Sequence, residues 1–289
     1  MDRIQAYIEE DAPRGDVTSE TVVDDREVQA YITVKEQAVA ACLDEVESFL
    51  KSRGITVLPL VKDGDQVPAG TRVMVLKGGA LKILLYERVI LNILMRTFGI
   101  ATKTRRVVER CRKVNPDIVI ACTRKTTPGF RYFEKKAVFL GGGDPHRYSL
   151  SDAVLIKDNH LFMAESLEDA VRMARGCVFN HTEVPEFAKT SFAFEKVEVE
   201  AESAEDALRA AGAGADIVML DNFTPEEAEH AYRELKARYP DVIVEVSGGI
   251  TEENAHLYAR AADVISMGSL THSYRSVDMS LEMDHAVDI

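Results

Sequence analysis

Residues 216–249, DIVMLDNFTPEEAEHAYRELKARYPDVIVEVSGG, hold the unit that decides the fold. DIVML (216–220) is a short, nearly continuous apolar run, the mark of a strand buried on both faces. Thr224 before Pro225 is a helix start, and apolar residues at helical spacing follow to residue 238. VIVEV (242–246) is a second buried strand, closed by Ser247-Gly248-Gly249. Strand, helix and strand in this order predict a parallel pair joined by a right-handed crossover.

The same unit recurs outward in both directions. Further apolar runs stand at 117–122, 153–156, 197–199 and 263–267, with helical segments at 165–175, 203–212 and 251–260. Six or seven such units fit in about 155 residues, fewer than the roughly 250 of a complete eight-unit barrel. The expectation is an incomplete, about seven-stranded α/β barrel over 115–272, with an open doubly wound sheet as the alternative. No Gly-x-Gly-x-x-Gly follows a strand, which lowers a dinucleotide-binding version. Residues 1–114 carry a different pattern: strands at 27–35, 55–61 and 71–76, a helix from Leu43, and a helical stretch from Leu81 to about Val114 that Gly99 is expected to break. They predict a smaller N-terminal α/β domain. In SVDMSLEMD, Val277, Met279, Leu281 and Met283 alternate with polar residues, so the tail (273–289) is expected to return to the N-terminal sheet.

Composition narrows the function. The 289 residues carry 35 Lys and Arg against 48 Asp and Glu, a net charge of −13, which argues against a nonspecific nucleic-acid binder. No run of 18 apolar residues exists, and the acidic start MDRIQAYIEEDAP is no secretory signal. Cys42, Cys111, Cys122 and Cys177 lack metal-site spacing and fit reduced thiols of a cytoplasmic protein. The charge is uneven. From Lys82 to Lys157 there are 16 basic and 6 acidic residues, so the rest of the chain carries −23.

In parallel α/β folds the site lies at the carboxyl ends of the strands. The strand ends here are TRKTTPG (123–129), GGGDPHR (141–147), KDNH (157–160), Glu198 with Glu200, Asp221-Asn222, SGG (247–249) and Gly268-Ser269. The early ends are basic, the middle ones acidic, and the last small or glycine-rich. Arginine forks and lysines bind carboxylates and phosphates. Glu200 and Asp221 within a basic site suit Mg²⁺ or sugar hydroxyls, and glycine-rich turns opening helices suit a phosphate. Plainer roles compete at each position: Gly141–Gly143 can end a helix, Asp221-Asn222 can cap the helix starting at Pro225 although Thr224 is the better cap, and Glu198 with Glu200, two apart on one strand face, need partners if buried.

These motifs in this order resemble the quinolinate phosphoribosyltransferases, the carboxylating nicotinate-nucleotide pyrophosphorylases. RGDVT (14–18), ERVILN (87–92) and GIAT (99–102) extend the resemblance over nearly the whole chain. It implies an N-terminal α/β sandwich and a seven-stranded α/β barrel, in homodimers whose sites are shared across the interface. It implies that quinolinate and phosphoribosyl pyrophosphate (PRPP), with Mg²⁺ and no organic cofactor, give nicotinate mononucleotide, pyrophosphate and CO2. By similarity Arg124, His146, Arg147 and Lys157 contact quinolinate or its carboxylates, Thr123 belongs to the substrate-binding set, and Arg88 reaches into the neighbouring subunit's site. Lys125, Lys157, Glu200 and Asp221 take the catalytic roles, with Glu200 and Asp221 also serving the metal. Ser247, Gly248, Gly249, Gly268 and Ser269 hold the 5′-phosphate, with His272 close behind. Three features depart from the family pattern: Asp144-Pro145, Phe98, and a long connection over 161–196, for which a structural role is expected. Two other functions stand against the first: a salvage enzyme acting on nicotinate, and a non-catalytic binder of anionic metabolites. No membrane or nucleic-acid partner is expected.

Overall fold

A computed structural model describes residues 3–179 and 182–285. The chain forms two compact units, Met1–Thr102 with Arg275–Ile289, and Lys103–Tyr274. The sequence suggests boundaries at 114 and 272, but the first division falls inside a helix, where no change of composition marks it.

The first unit is built on an antiparallel sheet. Its strands are β1 (Glu27–Val34), β3 (Thr56–Pro59) and β5 (Arg72–Gly79), with a small pair, β2 (Ala38–Val39) and β4 (Gln66–Val67), beside them. In β1, Val28, Ala30, Ile32 and Val34 are buried while their neighbours are not, the alternation of a sheet with one covered face. The tail strand β12 (Met279–His285) pairs antiparallel with β1, from Val34 opposite Met279 to Val28 opposite His285. The rest of the tail call, 286–289, lies outside the described residues.

The helix Ala80–Arg112 runs through Gly99 without a break, against expectation. A Cβ on Gly99 would lie 2.2 Å from the Arg275 carbonyl oxygen. Gly99 therefore serves a close backbone approach, which outweighs its cost in a helix interior.

The second unit is a parallel sheet of β6 (Val119–Cys122), β7 (Val154–Ile156), β8 (Val197–Ala201), β9 (Ile217–Asp221), β10 (Ile243–Ser247) and β11 (Val264–Met267). Their order is β6-β11-β10-β9-β8-β7. The expected seventh strand is reduced to one residue: Asp144 bridges Ala121 on the outer side of β6. β8, β9, β10 and β11 are buried along most of their length, as strands with both faces covered must be. Thr224 and Glu227 close a capping box at the start of Pro225–Arg238. The helix expected over 251–260 shrinks to Ala255–Tyr258, because the Asn254 side chain accepts the Thr251 N–H (2.8 Å) and makes the preceding residues a turn. Among the described residues no helix is long and apolar enough to cross a membrane.

Candidate active site

A pocket of about 450 Å³ opens over the carboxyl ends of the parallel strands. β6 delivers Thr123, Arg124 and Lys125; the following loop His146 and Arg147; β7 Lys157; β8 Glu200; β9 Asp221 and Asn222; and β10 Ser247, Gly248 and Gly249. Gly268 sits at the end of β11 against this set: a Cβ there would lie 2.9 Å from both Lys125 Cδ and His272 Nε2. Ser269 Oγ donates to the Ile250 carbonyl (3.2 Å), and His272 is exposed, its Nδ1 2.7 Å from Ser273 Oγ. Arg88 belongs to the other unit, exposed on the long helix, and is outside the pocket lining.

The two arginines of the wall are only partly offset by acids. Burial, then repulsion from Arg147 and Arg131, lowers the Arg124 pKa; burial lowers that of Arg147, with Glu198 and Asp152 opposing. Both guanidinium Nε atoms are buried without a hydrogen-bond partner. Two neighbouring guanidiniums with unsatisfied donors form a site for an anion with more than one oxygen group.

The acidic part is adjacent. Lys157 Nζ contacts Glu200 Oε2 directly. Burial raises the Asp221 pKa above 3.8, and Glu200 raises it further, against Lys157 and Lys125. Glu200 and Asp221 thus set two carboxylates close together in the pocket, a donor set that fits a hard divalent cation. The KDNH stretch has its own role: His160 Nδ1 accepts the Lys157 backbone N–H (3.0 Å), fixing the residue that carries the ammonium.

The floor was not legible from motifs. Leu155, Met219, Glu245 and Ser266 line it, each two residues before a strand-end group: Lys157, Asp221, Ser247 and Gly268. The period of two puts each on the same face as its partner, so counting back from the strand ends finds them. Glu245 is hidden in sequence because it sits inside VIVEV. His146 lies between Glu245 and Glu198, its Nε2 3.0 Å from Glu245 Oε2 and 3.5 Å from Glu198 Oε2. His146 is thus a partner of the kind a buried Glu198 needs. Burial is the largest influence on His146 and lowers its pKa, but the two carboxylates together outweigh it and hold the ring above 6.5.

One ligand atom from each of His146, Glu198 and Glu245 lies within 4.8 Å of the others, a spacing open to a metal. The hydrogen bonds oppose it. His146 Nδ1 accepts the Arg147 backbone N–H (2.6 Å), so the ring proton sits on Nε2, the nitrogen that faces the carboxylates. A protonated nitrogen cannot ligate. The carboxylates favour a second ring proton, which on Nδ1 would have to displace the Arg147 N–H. Both ring nitrogens are engaged within the protein, and His146 is 5% exposed. It meets the pocket as part of the floor rather than as a free donor.

At the glycine turn, Gly248 has φ +91° and Gly249 φ +60°. A Cβ on Gly248 would fall 2.3 Å from Asn222 Oδ1 and 2.6 Å from its backbone N, so only glycine fits. Sequence motifs also missed Lys103, which is 8% exposed and donates to the Ser269 and Ser273 carbonyls (both 2.9 Å), tying down the Ser269–His272 turn.

Two of the departures from the family pattern, Asp144-Pro145 and the end of the long connection, meet in the structure. Asp144 Oδ1 accepts the His146 N–H (2.6 Å) and the Ser191 hydroxyl (2.6 Å), and Oδ2 accepts the Phe192 N–H (3.2 Å). The end of the long connection therefore pins the loop that carries His146 and Arg147. Lys135, wholly buried, donates to the Pro145 carbonyl in the same loop. Asn180 and His181 of that connection lie outside the described residues.

Known proteins share this arrangement. Residues 16–98 match the quinolinate phosphoribosyl transferase N-terminal domain, and residues 100–282 the C-terminal domain. A probable carboxylating nicotinate-nucleotide pyrophosphorylase of Methanothermobacter thermautotrophicus is 45% identical over 287 residues, 98% of each chain. The carboxylating nicotinate-nucleotide pyrophosphorylase of Rattus norvegicus is 38% identical, over 98% of this chain and 91% of its own. The crystal structure of NadC from Streptococcus pyogenes superposes with a TM-score of 0.85 at 35% identity, covering 99% of this chain and 96% of that one. The chain belongs to the quinolinate phosphoribosyl transferase family.

Proposed function

We propose that this chain is a carboxylating nicotinate-nucleotide pyrophosphorylase: it joins quinolinate to PRPP and releases pyrophosphate and CO2. The observation that carries this reading is the pair Arg124, half-buried, and Arg147, buried, each with an Nε that has no hydrogen-bond partner, next to the acids Glu200 and Asp221. Two guanidiniums match a pyridine with two carboxylates better than one with a single carboxylate. This favours quinolinate over nicotinate.

In the reaction the pyridine nitrogen donates its lone pair to C1 of the ribose as the C1–O bond to pyrophosphate breaks. The pyridinium so formed then accepts the electron pair of the C2–carboxylate bond, CO2 departs and C2 takes a proton. Arg124 and Arg147 hold the dicarboxylate, with Thr123 beside them. Lys125 and Lys157 oppose the negative charge of the pyrophosphate and of C2 during decarboxylation. Catalysis is by positioning and electrostatic stabilisation of charge. Ser247, Gly248, Gly249, Gly268 and Ser269 offer backbone and hydroxyl donors to the 5′-phosphate, with His272 behind Gly268. Glu200 and Asp221 fit Mg²⁺, which when bound would neutralise pyrophosphate oxygens. No organic cofactor enters this scheme. The working unit is a homodimer in which Arg88 serves the neighbouring subunit's site. Mixing Arg88→Ala with Lys157→Met protein tests that arrangement: activity should return when two inactive variants exchange subunits.

The function is tested with purified protein, PRPP, Mg²⁺ and either quinolinate or nicotinate. Nicotinate mononucleotide from quinolinate alone is expected. Turnover of nicotinate alone would assign the chain to salvage, and turnover of neither would make it a binder.

A further inference from the structure

Glu245 is fully buried on the central strand β10, and Glu198 is 1% exposed on β8. Each has one carboxylate oxygen, Oε1, buried without a hydrogen-bond partner. Two acids in that condition do not stabilise a fold: the desolvation of an unpaired oxygen costs more than an apolar side chain of similar size would. A purely structural explanation therefore fails for Glu245, and its contacts point to the site. Its Oε2 accepts from His146 Nε2 (3.0 Å). The ring so held accepts the Arg147 N–H on Nδ1 (2.6 Å). His146 has φ +51°, an uncommon backbone state for a residue other than glycine. The chain of contacts ends at the arginine whose guanidinium lines the pocket.

We propose that Glu245 is a positioning residue for the substrate's carboxylates: as hydrogen-bond acceptor for His146 it sets the backbone of Arg147, and through it the anion site. The inference rests on the functional reading above for its substrate, but the contact itself is independent of that reading. Glu198, the second carboxylate at the same nitrogen, faces the Arg147 charge and supports the same arrangement.

The test compares Glu245→Met, which removes the acceptor at similar volume, with Glu245→Gln, which keeps one. In Glu245→Met the KM for quinolinate should rise about tenfold or more, the loss of a hydrogen bond's worth of positioning, with kcat changed less. Its Tm should stay at or above that of the wild type. Glu245→Gln should recover to within about threefold of wild type. Independently of turnover, the His146 Hε2 proton, assigned with His146→Gln, should appear downfield in the NMR spectra of wild type and Glu245→Gln and be lost or shifted in Glu245→Met. A wild-type protein inactive with quinolinate would break the functional reading and leave the NMR comparison to decide this one. Equal losses in both variants, an unchanged KM in Glu245→Met, a fall in Tm that accounts for its loss, or an Hε2 signal indifferent to Glu245→Met would each overturn the proposal.

Discussion

The wall and the floor of the pocket are built on opposite terms. The wall, Lys125, Lys157, Glu200 and Asp221, is partly open to water, and its charges are paired or offset at the strand ends. The floor, His146, Glu198 and Glu245, is buried, and two of its carboxylate oxygens have no partner. Water screens the wall, so its side chains are free to meet successive charged species. The floor cannot rely on water, so its groups fix one another and set the geometry above them.

The sharpest way to break this contrast is at Arg147, where floor and wall meet. Arg147→Ala should lower kcat/KM for quinolinate about a hundredfold to a thousandfold, while circular dichroism still reports the native fold. An unfolded variant would instead make Arg147 part of the floor's stability. At the glycine turn, Gly248→Ala should destabilise by about 1–3 kcal/mol in urea unfolding, because an alanine at φ +91° collides with Asn222. A smaller effect separates the charges of the wall. The Asp221 pKa in the folded protein lies above its ordinary 3.8. The folded state therefore binds the proton more tightly than the unfolded one, and wild-type stability falls as pH rises through the window above 3.8. Asp221→Asn removes that loss: its Tm should exceed that of the wild type at pH 7, and the gain should vanish once the pH is below 3.8. Smallest of all is Arg106→Ala, which breaks an ion pair with Glu252 (2.8 Å) on the exposed helix surface. Its cost should be about 0–1 kcal/mol, with turnover unchanged.

The same contrast explains what the sequence disclosed. The parallel sheet was legible because buried strands such as DIVML leave unbroken apolar runs, and the wall because each run ends in a charged or glycine-rich group. Alternation in 277–284 placed the tail strand. The floor was obscure for a physical reason: a glutamate within VIVEV looks like an interruption of an apolar run, and its partner His146 arrives from a loop about a hundred residues earlier in sequence. Gly99 misled because a glycine selected for close approach is indistinguishable in sequence from one that ends a helix. Lys103 and Lys135 resembled solvated helix charges, since nothing local shows that the carbonyls they bind are brought to them by distant segments.

The central claim is that this pocket couples ribosyl transfer to loss of the 2-carboxylate. Quinolinate carrying ¹³C in that carboxylate, incubated with PRPP, Mg²⁺ and the protein, should yield labelled CO2 and unlabelled nicotinate mononucleotide in equal amounts. Label retained in a nucleotide product, or nucleotide formed without CO2, would contradict it.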